Sequence, residues 1–233
     1  MKVIIDRQKL QRRARLSHAA SLVGLLTILA SVALSMWKPN LSTVSAILLV
    51  LGFASATVGI YHANRWVKRP RPEDTLDHAL KGLSDQHRLY HYAFPCDHLL
   101  LTPSGLVVIE TCNLEGAFTY KDGRWRQKMT PRRAMRFFVE ESLGNPIERA
   151  RSQGAALSAR LRPRLPAGTH IPVQPVVVFV NPTAELAVAS PPIPVCQPDK
   201  LRKRLPQNLP RLPTEVYDQV QLALHEMAGV RQA

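Results

Sequence analysis

The chain has 233 residues, a formal net charge of +14 at pH 7 and three cysteines. That length allows one ordinary domain plus an additional segment, and an odd number of cysteines without regular spacing gives no disulfide framework. A protein this basic suits a polyanionic partner, nucleic acid first. A solvated basic face beside anionic lipid head groups is the alternative.

Two long segments without charged residues dominate the first part of the chain. Between Arg15 and Lys38 lie 22 residues with no Asp, Glu, Lys or Arg, and between Lys38 and Arg65 lie 26 more. As an α-helix each segment is about 33 Å long or more, enough to cross a hydrocarbon core of about 30 Å. We therefore predict two transmembrane helices, at about 16–37 and 41–63, joined by a tight polar turn.

Two other interpretations of these segments are possible. A cleaved signal peptide is the alternative for the first segment, but its apolar part is too long and a second apolar segment follows at once. A buried helical hairpin of a soluble protein is the alternative for both, and so long an almost uncharged stretch disfavours it.

Basic residues lie at the outer ends of the two predicted spans, and the turn between them carries one lysine. The positive-inside rule therefore puts both outer flanks in the cytoplasm. We expect an integral membrane protein, of the inner (cytoplasmic) membrane in a prokaryote, with both termini and the soluble domain cytoplasmic. The predicted segments are a basic arm (1–15), two transmembrane helices (16–64), a basic linker (65–71), a soluble domain (72–228) and a tail (229–233). The flanking basic residues are Lys9, Arg12, Arg13 and Arg15, and then Arg65, Lys68, Arg69 and Arg71.

The soluble part alternates between strand and helix patterns. The order of helix, β-meander, helix, strand and helix is typical of an α/β or α+β domain. The predicted strands are 98–102, 106–112, 117–120, 124–127, 173–180 and 186–189. The predicted helices are 72–83, a basic stretch from Pro131 towards Gly144, 146–161, 199–204 and 213–227.

One six-residue stretch, Val107 to Cys112, carries the strongest chemical signal. An apolar run delivers the carboxylate of Glu110, and Cys112 follows two residues later, so both side chains point to the same face of the strand. Asp97 comes just before the preceding strand. Because carboxylate oxygens suit Mg²⁺, we predict the acidic half of a divalent-metal site. Each carboxylate also has an alternative interpretation without a metal. Asp97 could simply end the loop before the strand, and Glu110 could be a buried charge.

The soluble part resembles the nuclease-related domain (NERD), a member of the PD-(D/E)xK nuclease-like superfamily. The resemblance covers about residues 72–228, in the order Asp, strand, Glu-x-x-Asn, Gly, Trp and Asn-Pro, and it implies a restriction-endonuclease-like core. Two membrane spans before such a domain are consistent with a membrane-attached member. The matching segments are Pro72-Glu73 with Leu76, Leu80 and Leu83; Cys96 to Gly105; Leu106 to Asn113 with Gly116; Gly123-Arg124-Trp125; Asn145-Pro146; and Val176 to Val180.

The resemblance implies a catalytic role for four positions. Asp97 and Glu110 match the two metal ligands, Glu73 matches the glutamate on the first helix, and Cys112 stands where the superfamily has a lysine. In that superfamily the lysine orients or activates the water that attacks a phosphodiester. A bound Mg²⁺ would lower the pKa of that water and clamp the phosphate.

Two positions depart from the family pattern. A thiol at Cys112 supplies no fixed positive charge and prefers softer metals than Mg²⁺, and an inert buried cysteine is its plainest interpretation. Arg149 replaces the glutamine of the Asn-Pro-x-x-Gln pattern. Lys121 and Lys128 are candidates for a relocated lysine, and Arg149 for holding a phosphate. These three residues are the predicted nucleic-acid contacts.

Other residues with metal-binding or stacking chemistry have plainer interpretations. A zinc site is a minor alternative because no metal-ligand spacing repeats. Trp125 and the pair Phe137–Phe138 are predicted core residues rather than base-stacking platforms. The candidate zinc ligands are Cys96, Cys112, His87, His91 and His98.

Three functions remain in competition. The first is a membrane-anchored NERD protein that binds nucleic acid at the cytoplasmic face, with weak or no nuclease activity. The second is an active Mg²⁺-dependent nuclease, a divergent phosphodiesterase that uses a relocated Lys or Arg. The third is a membrane-tethered scaffold for protein interactions.

Overall fold

The computed structural model describes residues 1–66, 71–128, 143–206 and 209–229. They divide into two compact units, which we call the sheet domain and the hairpin. The sheet domain combines Met1–Asp6 with the described residues from Pro72 onward, and the hairpin begins at Arg7. Three predicted segments lie outside the described residues: linker residues 67–70, positions 131–142 of the basic stretch, with Phe137–Phe138, and the tail from 230.

The hairpin consists of two long helices, α1 (Arg7–Trp37) and α2 (Ser42–Trp66), joined by a 3₁₀ turn at Pro39–Leu41. Each is long and apolar enough to cross a membrane, over 28 residues at Leu10–Trp37 and 23 residues at Pro39–Tyr61. Only 11% and 17% of their most apolar windows are buried, whereas a core helix of a soluble protein is mostly buried. The apolar surface of the hairpin therefore faces outward.

Small residues let α1 and α2 approach each other closely. A Cβ atom added at Gly24 would collide with the backbone at Ala56 on the facing helix. The hydroxyls of Ser31 and Ser45 each donate to the other residue's backbone carbonyl oxygen at 2.8 Å. Close small-residue packing and interhelical hydrogen bonds of this kind hold helices together in a bilayer, where no hydrophobic effect acts between them.

Six strands form the main sheet of the sheet domain: β1 (Lys2–Ile5), β2 (Arg88–His91), β3 (His98–Thr102), β4 (Gly105–Cys112), β7 (Val173–Phe179) and β9 (Val195–Cys196). Their order is β1-β2-β3-β4-β7-β9. The central strands β2, β3 and β4 form an antiparallel meander, and the outer pairings β1–β2, β4–β7 and β7–β9 are parallel. The end of β4, the start of β3 and the end of β2 therefore meet at one end of the sheet.

Strand β1 precedes the hairpin in the chain but belongs to the sheet domain. Its residues Lys2–Ile5 pair in parallel with Arg88–His91 of β2. Ile4 packs against a buried cluster of the domain core. The sheet domain is therefore discontinuous in sequence, with the hairpin inserted between its first strand and its first helix.

A smaller sheet follows the end of β4 and consists of β5 (Gly116–Lys121), β6 (Arg124–Gln127) and β8 (Ala184–Val188). Its order is β6-β5-β8, with β5 antiparallel to β6 and parallel to β8. The inward side chain of Phe118 lies 4.9 Å from Phe179 of β7 between ring centroids, which joins the two sheets into one core.

Helices cover both faces of the main sheet. They are α3 (Pro72–Ala79), α4 (Pro146–Leu161), α5 (Pro198–Arg204) and α6 (Thr214–Met227). Leu157 of α4 packs with Val108 on one face, and Leu76 of α3 packs with Ile109 on the other. Because β4 is covered on both sides, nearly all of its residues are buried, which explains its continuous apolar run.

The predicted mixed α/β fold class is confirmed, and β3, β6 and α4 have the predicted bounds. Strands β1, β2 and β9 were not predicted because they have only two to four residues and no clear alternation. Helix α3 ends at Ala79 rather than near Leu83, and Gly82, at φ = +88°, lies in the turn that follows. The expected arm 1–15 contains β1 and the first turns of α1.

Candidate nuclease-related site

Asp97 and Glu110 lie side by side at one end of the main sheet. In the register of β3 and β4, His98 pairs with Ile109, so the next position out brings Asp97 opposite Glu110. The Glu110 side chain is only 7% exposed, and Asp97 is half-buried. The structure therefore brings together the two carboxylates that the family resemblance assigns to metal binding.

Both carboxylate oxygens of Glu110 accept hydrogen bonds from α4. Nε of Arg149 donates to Oε1 at 2.7 Å, and Nε2 of Gln153 donates to Oε2 at 2.7 Å. Arg149 and Gln153 are four residues apart, so they are neighbours on the same side of the helix. The Arg149 side chain is 38% exposed, so the ion pair has a buried acidic end and a solvent-facing basic end.

The loop that leads into α4 fixes the Arg149 guanidinium. The side chain of Asn145 caps the helix by accepting a hydrogen bond from the backbone N–H three residues later, at 3.3 Å. Nη1 of Arg149 donates to the carbonyl oxygen of Leu143 at 2.8 Å. Gly144 has φ = +55°, and a Cβ atom there would lie 3.0 Å from this Nη1. Glycine thus lets the chain turn tightly around the cation.

Burial raises the pKa of the Glu110 carboxyl above its ordinary value, because the charged form loses solvation. The hydrogen bond and positive charge of Arg149 act in the opposite direction, as does the hydrogen bond from Gln153, while the charge of Asp97 raises the pKa further. The pKa remains raised after these effects are combined. The α4 side chains therefore offset only part of the cost of burying this carboxylate.

Cys112, two residues beyond Glu110, lies in an apolar cluster and is 3% exposed. Its backbone carbonyl oxygen accepts a hydrogen bond from the N–H of Val180 at 3.0 Å, which fixes the end of β4 against β7. This burial supports its interpretation as an inert thiol, and the position supplies no cation. The cluster includes Leu114, Phe118, Ile147 and Phe179.

Glu73, the third predicted acid, lies on α3, the helix that packs on the opposite face of the main sheet from α4. It is buried, and its Oε2 accepts a hydrogen bond from the Tyr92 hydroxyl at 2.7 Å. Tyr92 adopts φ = +62°, a left-handed conformation that is rare for a bulky residue. Its backbone N–H donates to the carbonyl oxygen of Asp97 at 2.7 Å. Tyr92 thus connects Glu73 to the end of the sheet where the other two acids lie.

A buried histidine pair lies beside Tyr92. The Nδ1 atoms of His91 and His98 are 2.7 Å apart, and Nε2 of His91 is 3.1 Å from Oδ1 of Asp77. When His91 donates its Nε2 proton to Asp77, its Nδ1 accepts and the proton between the rings belongs to His98. Nε2 of His98 then carries a buried lone pair that has no hydrogen-bond partner in the described part of the chain. The two rings face each other rather than a shared metal position.

Lys121 and Lys128 lie on the exposed side of the smaller sheet. Lys121 pairs with Arg124 across the β5–β6 hairpin, and strand alternation puts Arg126 and Lys128 on the same solvent-facing side. We call these four residues the basic strip. Both lysines thus lie on the solvent side of this sheet, and the charges that act on Glu110 from the described residues are those of Arg149 and Asp97.

Trp125 points away from the basic strip and into the domain. Its ring centroid lies 5.1 Å from that of Tyr120 and 5.6 Å from that of Phe179. It is therefore a packing residue, as predicted, rather than a platform for bases.

The donor set around Glu110 does not fit Mg²⁺. This ion needs several oxygen ligands in near-octahedral geometry and gives up its waters reluctantly. Here both oxygens of Glu110 accept hydrogen bonds from side-chain nitrogen atoms, and the third family position is a buried thiol. Across the described residues, no group of three or more His, Cys, Asp or Glu side chains is arranged to hold a metal ion.

Three elements of this site were not predicted: Gln153, Tyr92 and the His91–His98 pair. The spacing of four residues between Arg149 and Gln153 on one helix was a signal that could have indicated Gln153. Tyr92 could not have been found, because its position depends on a backbone conformation that the sequence does not specify. The histidine pair depends on the β2–β3 register, and β2 itself was not predicted.

Comparison with known proteins identifies one family. The model of the nuclease-related domain family matches residues 64–180, half of the chain. The matched range contains Glu73, Asp97, Glu110 and Arg149 and ends just after β7. No curated protein and no solved structure matches the chain significantly.

Proposed function

Since this chain belongs to the nuclease-related domain (NERD) family, we propose that it is a membrane-anchored protein that binds nucleic acid at the cytoplasmic face through a degenerate nuclease site. The ion pair between Arg149 and Glu110 carries this proposal. The acidic part of a nuclease site is retained, the lysine position is a buried thiol, and among the described residues α4 supplies a cation instead. Guanidinium groups bind phosphate well because their donors match its geometry.

The charge of the sheet domain supports a polyanionic ligand. Among the described residues, its exposed cations include the basic strip on the smaller sheet and a second group on α5. Contacts between such residues and phosphates release counterions, so binding is expected to weaken steeply as salt increases. The exposed cations on α5 are Lys200, Arg202, Lys203 and Arg204.

The proposed anchor is the hairpin. Because β1 pairs with β2, the chain segments on the two sides of the hairpin must lie on the same side of any membrane that it crosses. The basic residues at both outer ends favour the cytoplasmic side, where they also attract anionic lipid head groups. The fold and the charge distribution thus support the same topology.

A second candidate function is an Mg²⁺-dependent nuclease that uses Arg149 as a relocated cation. The observation in its favour is that the carboxylates of Asp97 and Glu110 lie side by side at the end of β3 and β4. In this alternative, phosphate binding would draw Arg149 away from Glu110 and free the carboxylate for the ion. Glu110 and Asp97 would then hold Mg²⁺, which would polarise the phosphate and lower the pKa of a bound water.

The test uses the full chain in nanodiscs of zwitterionic lipid, so that no lipid charge competes for the ligand. Fluorescence anisotropy with labelled single-stranded and duplex DNA and RNA measures binding at increasing salt, and incubation with Mg²⁺ or Mn²⁺ measures cleavage. We expect salt-dependent binding without cleavage. Cleavage that disappears in Glu110→Ala would establish the nuclease. Neither binding nor cleavage would leave a protein-interaction scaffold.

A further inference from the structure

We infer that Arg149 replaces the divalent cation of this site, so that the site accepts a phosphodiester without any bound metal. This inference deepens the proposed function and rests on it for the identity of the ligand. The statement about the metal stands on the geometry of Arg149, Gln153 and Glu110 alone.

Side chains of α4 occupy both oxygens of the Glu110 carboxylate. Oε1 is bonded to the Nε of Arg149 and Oε2 to the amide of Gln153, both at 2.7 Å. A divalent ion that used either oxygen would compete with a charge-assisted hydrogen bond, the strong kind in proteins. It would also meet the positive charge of the guanidinium, which repels it. Protein groups thus occupy both oxygens of the carboxylate and place a positive charge beside it.

The fold itself holds the Arg149 guanidinium in place. The guanidinium of Arg149 is held by the carbonyl oxygen of Leu143 as well as by Glu110, within a turn that Gly144 makes possible. Asn145 caps the helix from which Arg149 projects. Because both the helix and the guanidinium are held in this way, the Arg149 side chain is a fixed part of the site rather than a mobile surface arginine.

Solvent reaches the Arg149 guanidinium more readily than the Glu110 carboxylate. The Arg149 side chain is 38% exposed, whereas that of Glu110 is 7% exposed. A ligand in solvent therefore meets the guanidinium and not the carboxylate. Arginine binds phosphate oxygens through several N–H groups, which makes a phosphodiester the fitting class of ligand.

The experiment measures Mn²⁺, a spectroscopic substitute for Mg²⁺, by electron paramagnetic resonance on the full chain in nanodiscs without nucleic acid. We expect wild type and Glu110→Gln to bind the same amount of Mn²⁺. We expect Arg149→Gln, which restores the family residue, to gain one Mn²⁺ site. Its affinity for Mn²⁺ should be at least about tenfold higher than that of any Mn²⁺ binding by wild type. That gain should be lost in Arg149→Gln/Glu110→Gln. Circular dichroism checks that each variant is folded.

A second measurement keeps the inference testable if Arg149→Gln does not fold. Oligonucleotide binding by wild type and by the charge-conserving Arg149→Lys is measured in EDTA and in Mg²⁺. Because Mg²⁺ competes for the phosphates, we expect each protein to bind in EDTA at least as tightly as in Mg²⁺.

The two measurements separate failure of the inference from failure of the proposed function. Mn²⁺ binding by wild type that Glu110→Gln removes would overturn the metal replacement, as would a folded Arg149→Gln that gains no site. Nucleic-acid binding that requires Mg²⁺ would overturn it too. If no oligonucleotide binds under any condition, the proposed function fails while the Mn²⁺ result still decides whether Arg149 replaces the metal.

Discussion

Arg149 and Glu110 are 39 residues apart in sequence, yet Nε of the arginine lies 2.7 Å from Oε1 of the glutamate. The contact joins α4 to the central strand β4 at the end of the sheet where a nuclease of this family would hold its metal. A single ion pair thus links α4 to the central strand and places a cation against the buried carboxylate.

Removing Arg149 is expected to destabilise the sheet domain by about 2 kcal/mol, because a buried carboxylate would be left without its cation. The estimate is below the range for fully buried pairs because the arginine is partly exposed. The measurement is urea unfolding of Arg149→Ala, followed by Trp125 fluorescence in a Trp37→Phe/Trp66→Phe background. Arg149→Ala/Glu110→Gln should recover at least half of the loss, and a double variant no more stable than Arg149→Ala would contradict this account.

His98 is expected to make the sheet domain less stable as the pH falls below about 6.5. Burial, and then the charge of His91, lower the pKa of His98 well below its ordinary value. The unfolded chain therefore takes up a proton in this range while the folded one does not, and stability falls by about 1 kcal/mol per pH unit. Unfolding free energies between pH 7.5 and 5.5 should show this slope, with a smaller slope in His98→Asn. Equal slopes would exclude His98 as the cause.

Restoring the family residues should require two changes. Cys112→Lys alone is expected to give no cleavage, because Arg149 still occupies Glu110 and the new ammonium would be buried beside it. Cys112→Lys/Arg149→Gln is expected to cleave oligonucleotides with Mg²⁺ or Mn²⁺. The control is Glu110→Ala in that double variant, which should abolish cleavage. Activity in Cys112→Lys by itself would mean that Arg149 does not block the site.

The sheet domain is expected to need β1. A fragment that starts at Arg71 would expose the edge of β2, and open strand edges promote aggregation. A fusion that joins residues 1–6 to residue 71 through a flexible linker should be monomeric and soluble by size-exclusion chromatography. Ile4→Asp in that fusion should destabilise it because Ile4 packs into the core, whereas Val3→Thr at an exposed position should not. Equal behaviour of fragment and fusion would contradict this role.

Close packing in the hairpin predicts a strong effect at Gly24. Any larger side chain there would meet the backbone at Ala56, so Gly24→Leu should separate α1 from α2. The rate of disulfide formation in Ser31→Cys/Ser45→Cys measures this separation. We expect Gly24→Leu to make this rate at least about tenfold slower. Val23→Leu, at an exposed neighbouring position, is the matched control and should leave the rate unchanged.

The sequence was sufficient for the elements whose pattern is local. Helix α4 is bounded by Asn145-Pro146 and carries an apolar stripe, and β4 is a long apolar run, so both could be predicted. The neighbourhood of Asp97 and Glu110 followed from the family order of residues. Strand β2 could not be predicted, because no tight turn joins it to a recognisable strand, whereas β6, of the same length, follows a tight turn after β5.

The identity of the cation at Glu110 could not be predicted in the same way. Lys121 and Lys128 are candidates because they lie on the strands that follow Glu110, and Arg149 is a candidate because it stands at a family position. The structure distinguishes them by tertiary position: α4 lies over β4, whereas the two lysines are on the solvent side of the smaller sheet. Which of these cations reaches Glu110 depends on packing between segments that are distant in sequence, and no local pattern indicates it.

The insertion of the hairpin after β1 has a consequence for the order of events during synthesis. The ribosome makes β1 first, but its partner β2 appears only after both apolar helices have been translated. The main sheet can therefore close only after both apolar helices have been made. A chain that inserted only one of them would leave β1 on the wrong side of the bilayer and the edge of β2 uncovered. In the proposed topology, closure of the sheet is therefore incompatible with the insertion of only one of the two helices.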